Sequence, residues 1–282
     1  MFRSFVPRWP NRRPLLQRLG VVALAALVLA CGNSTSTGTP GSSGTPGASG
    51  SAATGTPAGA KSPWLDATKT VDQRVSLLLS QMTLDEKIGQ MTQIEIGALQ
   101  RNPKPVASAF LGSVLSGGDG NPSGANDAKN WYSMVGGMQA QALTTRLAIP
   151  ILYGIDAMHG DAHLTGSTVF PHNIGMGATH DAALVQQECK VTAAEMNATG
   201  VRWTFGPVVA VPQDIRWGRT YEGYGENTGL VTQLGTACLK GLQGTSLTDP
   251  NTVVGDPKHY IGDGGTAYGT GQDAPLDRGT NC

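Results

Sequence analysis

Apolar positions recur at helical spacing in three stretches of the chain. Thr83-Leu84-Asp85-Glu86 has the form of a capping box, with Thr83 covering the first backbone amides and Glu86 reaching back, and Leu84, Ile88, Met91 and then Ile94 or Glu95 continue one face. A second helix is predicted over 181–198 with Thr179 as its cap. Leu184, Val185, Cys189, Val191, Ala194 and Met196 form its apolar side, and Gly200 stops it. A third is predicted over 230–242, where Leu230, Leu234, Ala237, Cys238 and Leu242 share a side.

Short apolar runs of strand character lie between these helices, over 111–115, 149–153, 201–211 with interruptions, and 252–254. Strands alternating with helices imply an α/β fold with a parallel sheet, either wound open or closed into a barrel. Both architectures gather their chemistry in the loops beyond the carboxyl ends of the strands. The polar clusters fall there: Asp156 and His159 after the second run, 214–226 after the third, and Lys258 and His259 after the fourth.

The ends of the chain read differently. Arg3, Arg8, Arg12, Arg13 and Arg18 precede an apolar run from Gly20 to Ala30, an export signal too short to span a bilayer comfortably. Val28-Leu29-Ala30-Cys31 resembles a bacterial lipobox, which makes 1–30 a signal peptide and Cys31 the lipidated first mature residue. Arg12-Arg13 leaves the export route open between the general and twin-arginine pathways. Residues 31–62 are almost wholly Gly, Ser, Thr, Pro and Ala, a disordered tether with no apolar surface to repay ordering. The expected location is therefore periplasmic or cell-surface, with contact to the membrane only through the lipid anchor.

Charge narrows the partner. The 282 residues carry 20 basic and 20 acidic side chains, a balance that draws the protein to neither nucleic acid nor an anionic surface and points to a neutral ligand. Cys189, Cys238 and Cys282 fit no zinc spacing; one disulfide in an oxidising compartment and buried free thiols both remain open, and the spacing selects no pair.

Three motifs then coincide. Ile151-Leu152-Tyr153-Gly154-Ile155-Asp156-Ala157-Met158-His159-Gly160, Asp214-Ile215-Arg216-Trp217-Gly218-Arg219-Thr220-Tyr221-Glu222 and Lys258-His259-Tyr260-Ile261-Gly262-Asp263-Gly264-Gly265 resemble those of glycoside hydrolase family 3, in the same order and at similar separations. The resemblance runs from about Trp64 to near the end of the chain. It implies that 63–282 is the N-terminal portion of the family's barrel domain, an incomplete (β/α)8 TIM-type barrel. It also implies that Asp156, Arg219, Lys258 and His259 hold the hydroxyls of a terminal sugar. Those residue types suit the task, since a carboxylate accepts from hydroxyls while Lys and Arg donate to them. Among the aromatic residues Trp131, Trp203, Trp217, Tyr221 and Tyr224, the loop positions of Trp217 and Tyr221 suit stacking on a sugar face, while a strand residue such as Trp203 suits the core.

Other chemistries are weaker at these positions. His159 and His163, four apart with Asp161 between, lack a third metal ligand. A Schiff base at Lys258 fits poorly beside His259 and the Gly-Asp-Gly-Gly run, and that run lacks the Gly-Lys-Ser or Gly-Lys-Thr of a phosphate cradle. Glu222 and Glu226 look like a carboxylate pair, but Glu222 suits orienting Arg219, and Glu226 capping or pairing with a helix.

The family's attacking aspartate follows a later strand in a Ser-Asp-Trp-like setting, and its proton donor commonly lies in a second domain; this chain contains no Ser-Asp-Trp. The resemblance thus implies a retaining β-glucosidase or exo-β-glucanase acting on a β-linked oligosaccharide or glucoside without cofactor or metal, the 282 residues alone being poorly stable and inactive. The hexosaminidase branch is disfavoured, because Tyr260 to Gly265 departs from its Phe-Pro-Gly-His-Gly and no Asp-Ser-His occurs. The alternative is a tethered sugar-binding homologue without catalysis.

Overall fold

A computed structural model describes residues 62–117, 120–260 and 262–265. The signal peptide, Cys31, most of the tether and Cys282 lie outside the described residues.

The first helix, α1 (Val71–Gln81), starts at a capping box that the sequence reading passed over, Thr70 with Gln73. The second, α2 (Leu84–Gln90), starts at the Thr83 and Glu86 box, where the Glu86 carboxylate accepts from the Thr83 amide at 2.8 Å. This helix is shorter than its apolar period suggests. The helix ends at its C-cap, Met91, and the chain enters β1 (Gln93–Glu95), so Ile94 and Glu95 lie on a strand. Leu84, Ile88 and Met91 are exposed instead of forming the expected core face. What α2 buries is Glu86 and Gly89, and at Gly89 an added Cβ would stand 2.2 Å from the Ala109 carbonyl.

The chain continues through α3 (Ile96–Arg101), α4 (Pro105–Ser108), β2 (Ser113–Ser116), α5 (Ala128–Ala142), β3 (Leu152–Ile155), α6 (Asn173–Ala178), α7 (Ala182–Ala198), β4 (Trp203–Thr204), α8 (Thr228–Gln243) and β5 (Val254–Gly255). The cap of α7 is Asp181, whose carboxylate accepts from the Ala183 and Leu184 amides; Thr179 ends α6 instead.

Among the described residues five strands, one more than the sequence runs suggested, form a parallel sheet in the order β1-β2-β3-β4-β5. Each strand lies beside its predecessor, the α/β arrangement of a TIM-type barrel wall, with every crossover returning the chain to the same edge. Val114, Tyr153 and Ile155 from the strands join Trp131, Val185, Met196, Leu234 and Leu242 from the helices in one buried cluster. A fully buried Leu234 contributes about 2 kcal/mol by burial, so truncating it to Ala is expected to cost about 2–5 kcal/mol once the cavity is counted. The Tyr153 hydroxyl, buried with it, is matched by Ser116 Oγ at 2.7 Å. Cys189 of α7 and Cys238 of α8 are joined by a disulfide, which settles the pairing left open by spacing. Among the described residues no helix is long and apolar enough to cross a membrane.

Candidate functional site

The carboxyl ends of β3, β4 and β5 deliver the site. Asp156 follows the last residue of β3, and the neighbouring Ala157 amide donates to Thr204 Oγ1 of β4 at 3.2 Å, fixing where the strand ends. Lys258 lies just beyond β5, where its segment bridges to Val208 and its carbonyl accepts from the Val209 amide at 2.9 Å. The Lys258–His259 peptide is cis. Across the gap Lys258 Nζ reaches Asp156 Oδ1 at 2.5 Å, with the lysine side chain only 17% exposed.

Arg219 comes from the loop between β4 and α8, at the head of a 3-10 turn spanning Thr220–Glu222. Its guanidinium grips Glu222 through two bonds, Nε to Oε1 at 2.8 Å and Nη2 to Oε2 at 2.5 Å, the fork geometry that a lysine cannot supply. Burial works to raise the Glu222 carboxyl, but Arg219 overcomes it, helped by Lys258 and His259, and holds the group below its usual range. Glu222 is therefore a carboxylate at neutral pH and cannot serve as a proton donor. The hydrogen bond to Glu222 in turn raises Arg219 above the usual value. Asn173 Nδ2 donates to the Glu222 carbonyl at 2.8 Å, tying this turn to the start of α6.

Asp156, Met158, His159, His172, Arg219, Tyr221, Glu222 and Lys258 line one pocket of about 310 Å³, within the size range of small-molecule sites. His159 Nδ1 lies 3.0 Å from the Phe170 carbonyl; since a carbonyl only accepts, that nitrogen carries the hydrogen. Partial burial and the neighbouring His159 lower the His172 imidazole, with Glu222 opposing, so the ring is uncharged at neutral pH.

Four of the six expected sugar contacts, Asp156, Arg219, Lys258 and Tyr221, therefore share this pocket, and two do not. His259 lines an adjoining cavity with Tyr260 and Asp263, its Nδ1 2.7 Å from Asp263 Oδ2. Trp217 is a correction: its loop folds back and its ring packs on Val208, Ala210 and Met158, leaving 4% exposed and no face for a sugar. Tyr224 is buried too, and Trp203 packs edge-on against Phe205. His159 and His163 lie in a loop and share no helix face; His163 meets the edge of Trp131 instead. Among the described residues no group of three His, Cys, Asp or Glu side chains is placed to hold a metal ion.

His172 escaped the sequence reading. Its signal was indirect: the long stretch 156–172 between β3 and α6 has little regular structure, and His172 sits at the N-cap of α6 without capping it.

The structure thus shows a parallel α/β wall with a carboxylate, a lysine and an arginine converging beyond its strands, beside aromatic rings. The family described as "Glycosyl hydrolase family 3 N terminal domain" matches residues 83–281, and the chain belongs to that family. It is 30% identical over 213 residues to the lysosomal beta glucosidase of Dictyostelium discoideum, covering 68% of this chain and 26% of that protein. It is 33% identical over 204 residues to the periplasmic beta-glucosidase of Salmonella typhimurium, covering 71% and 25%. Among solved structures, the exo-1,3/1,4-beta-glucanase of a Pseudoalteromonas species superposes with a TM-score of 0.64 at 39% identity, over 70% of this chain and 25% of that one. The beta-glucosidase of Listeria innocua in complex with glucose gives 0.55 at 30% identity, over 71% and 27%. The chain thus spans about a quarter of the length of these relatives.

Proposed function

We infer that the protein, as the cell makes it, removes terminal non-reducing β-D-glucosyl residues from β-glucosides or β-glucan oligosaccharides, and that the pocket around Asp156 receives the terminal sugar. The observation that carries this reading is the convergence of Asp156, Lys258 and Arg219 from the segments that follow three different strands, each held by a charged partner. In such a pocket Asp156 accepts from two hydroxyls while Lys258 and Arg219 donate to sugar oxygens. The ion pairs keep each group in position before substrate arrives, which reduces the ordering cost of binding. His259, held by Asp263, donates from the adjoining cavity to the same sugar.

Retention requires a nucleophilic carboxylate and a proton donor roughly 5 Å apart. Asp156 and Glu222 are both committed to cations, so neither is assigned to these roles. In this reading the nucleophile is an aspartate following a later strand and the donor lies in another domain, as the family resemblance implies. Names of relatives that act on β-glucosides and β-1,3/1,4-glucans support the substrate class. The Cys189–Cys238 bridge and a relative named periplasmic support an exported protein working in an oxidising compartment; a tether through Cys31 rests on the lipobox-like sequence alone. Proton NMR of p-nitrophenyl β-D-glucoside hydrolysis tests the reading: β-glucose formed first is the expected result, and α-glucose formed first or no turnover contradicts it.

A further inference from the structure

Arg219 has to stand in one place relative to two groups that reach the pocket from other segments, Asp156 beyond β3 and Lys258 beyond β5. Its fork with Glu222 does not achieve this, because Glu222 lies three residues on in the same turn and moves with it. What ties the turn to the fold is α6. Asn173, the first residue of α6 and only 4% exposed, donates from Nδ2 to the Glu222 carbonyl at 2.8 Å. Among the described residues this is the one hydrogen bond that Arg219–Glu222 receives from outside its own loop. Four residues on, and so on the same helical face, Gly177 meets the Tyr224 carbonyl so closely that an added Cβ would stand 1.7 Å from it. The helix therefore offers 222–224 a donor and then bare backbone, while the Tyr224 side chain carries the contact into the core. Neither Asn173 nor Gly177 lines the sugar pocket. The Asn173 donor is uncharged, so it holds the Glu222 backbone without competing with Arg219 for the carboxylate.

We propose that Asn173 is a positioning residue for the hydrolysis, setting through the Glu222 carbonyl where Arg219 stands opposite Asp156 and Lys258, with Gly177 as the bare backbone that lets α6 approach. This rests on the reading that Arg219 holds the terminal sugar. Without the amide the turn is free to shift as a unit, fork included, and a displacement of about 1 Å at a substrate-positioning group is enough to cost about a hundredfold in rate.

The test is a double-mutant cycle on hydrolysis of p-nitrophenyl β-D-glucoside by the protein as the cell makes it, near neutral pH and well below the Tm of each variant. Asn173→Ala is expected to lower kcat/KM about ten- to a hundredfold in the native background, but less than about twofold in an Arg219→Ala background, where the group it positions is already gone. Equal losses in the two backgrounds overturn the proposal, because they are the mark of a purely structural role. Native-like kcat/KM in Asn173→Ala overturns it as well. Asn173→Asp keeps the shape of the side chain, but its ionised carboxyl has no hydrogen to donate. It is expected to lose activity in the same non-additive way, and it carries the cycle if Asn173→Ala fails to fold. A native protein that turns over no β-glucoside removes the hydrolase reading and the proposal with it, whereas native turnover with additive losses removes the role of Asn173 alone.

Discussion

Glu188 provides a test of the packing between α7 and the site loop. It lies on α7 with 4% of its surface exposed, its Oε2 has no partner, and its neighbour Tyr224 is itself raised by burial and then by the Glu188 charge. Burial pushes the Glu188 carboxyl from 4.5 up to about 7. A carboxyl raised in the folded state means that the folded protein holds the proton more tightly than the unfolded chain. The stabilisation is complete below the unfolded value and is lost as pH rises through about 7. At about 1.4 kcal/mol per pH unit, the span between the two values makes the native protein about 3 kcal/mol less stable at pH 8 than this residue allows at pH 4. Glu188→Gln removes the titration. Thermal unfolding from about pH 4 to about pH 8 is expected to show the native Tm falling relative to the variant by roughly 6–12 °C, at 2–4 °C per kcal/mol. Glu188→Leu is expected to follow Glu188→Gln, since the charge and not the amide is at issue. Tm curves for native and variant that stay parallel across that range would refute the reasoning.

Other outcomes follow from the same contacts. Glu222→Gln leaves Arg219 without its bidentate carboxylate, and kcat/KM for an aryl β-glucoside is expected to fall about ten- to a hundredfold, with Arg219→Lys in the native background losing at least as much because lysine cannot form the fork. Reducing the Cys189–Cys238 bridge, which spans a sequence separation of 49, removes about 4 kcal/mol of chain-entropy stabilisation; the same loss of Tm is expected in Cys189→Ser, and no shift with dithiothreitol contradicts it. Asp161 is 1% exposed, its oxygens reach no described donor in bonding geometry although the His163 amide faces them, and burial followed by the Glu195 charge raises it to about 6. Asp161→Asn is therefore expected to flatten the loss of stability as pH rises through about 6, measured as Tm against pH.

Parts of the architecture could be read before any coordinates. Thr83 with Glu86 announced the start of α2, and the apolar stripes of α7 and α8 face the core as their spacing required, apart from exposed Leu184 and Ala194. What failed did so for physical reasons. The helical period from Leu84 continues by coincidence into Ile94, and a strand of three residues is too short to impose its own alternation, so β1 was hidden. Strands this short also sit inside longer apolar runs, which is why β3 begins at Leu152 and not at Ile149. The stripe Trp131, Val135, Met138 and Ala142 of α5 obeys helical spacing and was legible in principle. For the site, Asp156, Arg219 and Lys258 stand out by the family resemblance of their three motifs, each following a strand-like run, and the structure brings the three into one pocket. Trp217 misled because loop membership says nothing of whether the loop folds back on Val208 and Ala210. His172 was missed because its partners, His159 and Tyr221, come from two loops whose approach is a tertiary fact.

The central claim is that Asp156, locked to Lys258, holds the terminal sugar of a β-glucoside in a family 3 hydrolase. The most direct measurement compares hydrolysis of p-nitrophenyl β-D-glucoside by the native protein, as the cell makes it, with that of Asp156→Asn at matched thermal stability. Losing a charged acceptor to two hydroxyls is expected to lower kcat/KM by about a hundred- to a thousandfold. Turnover by Asp156→Asn within a fewfold of native would contradict the account.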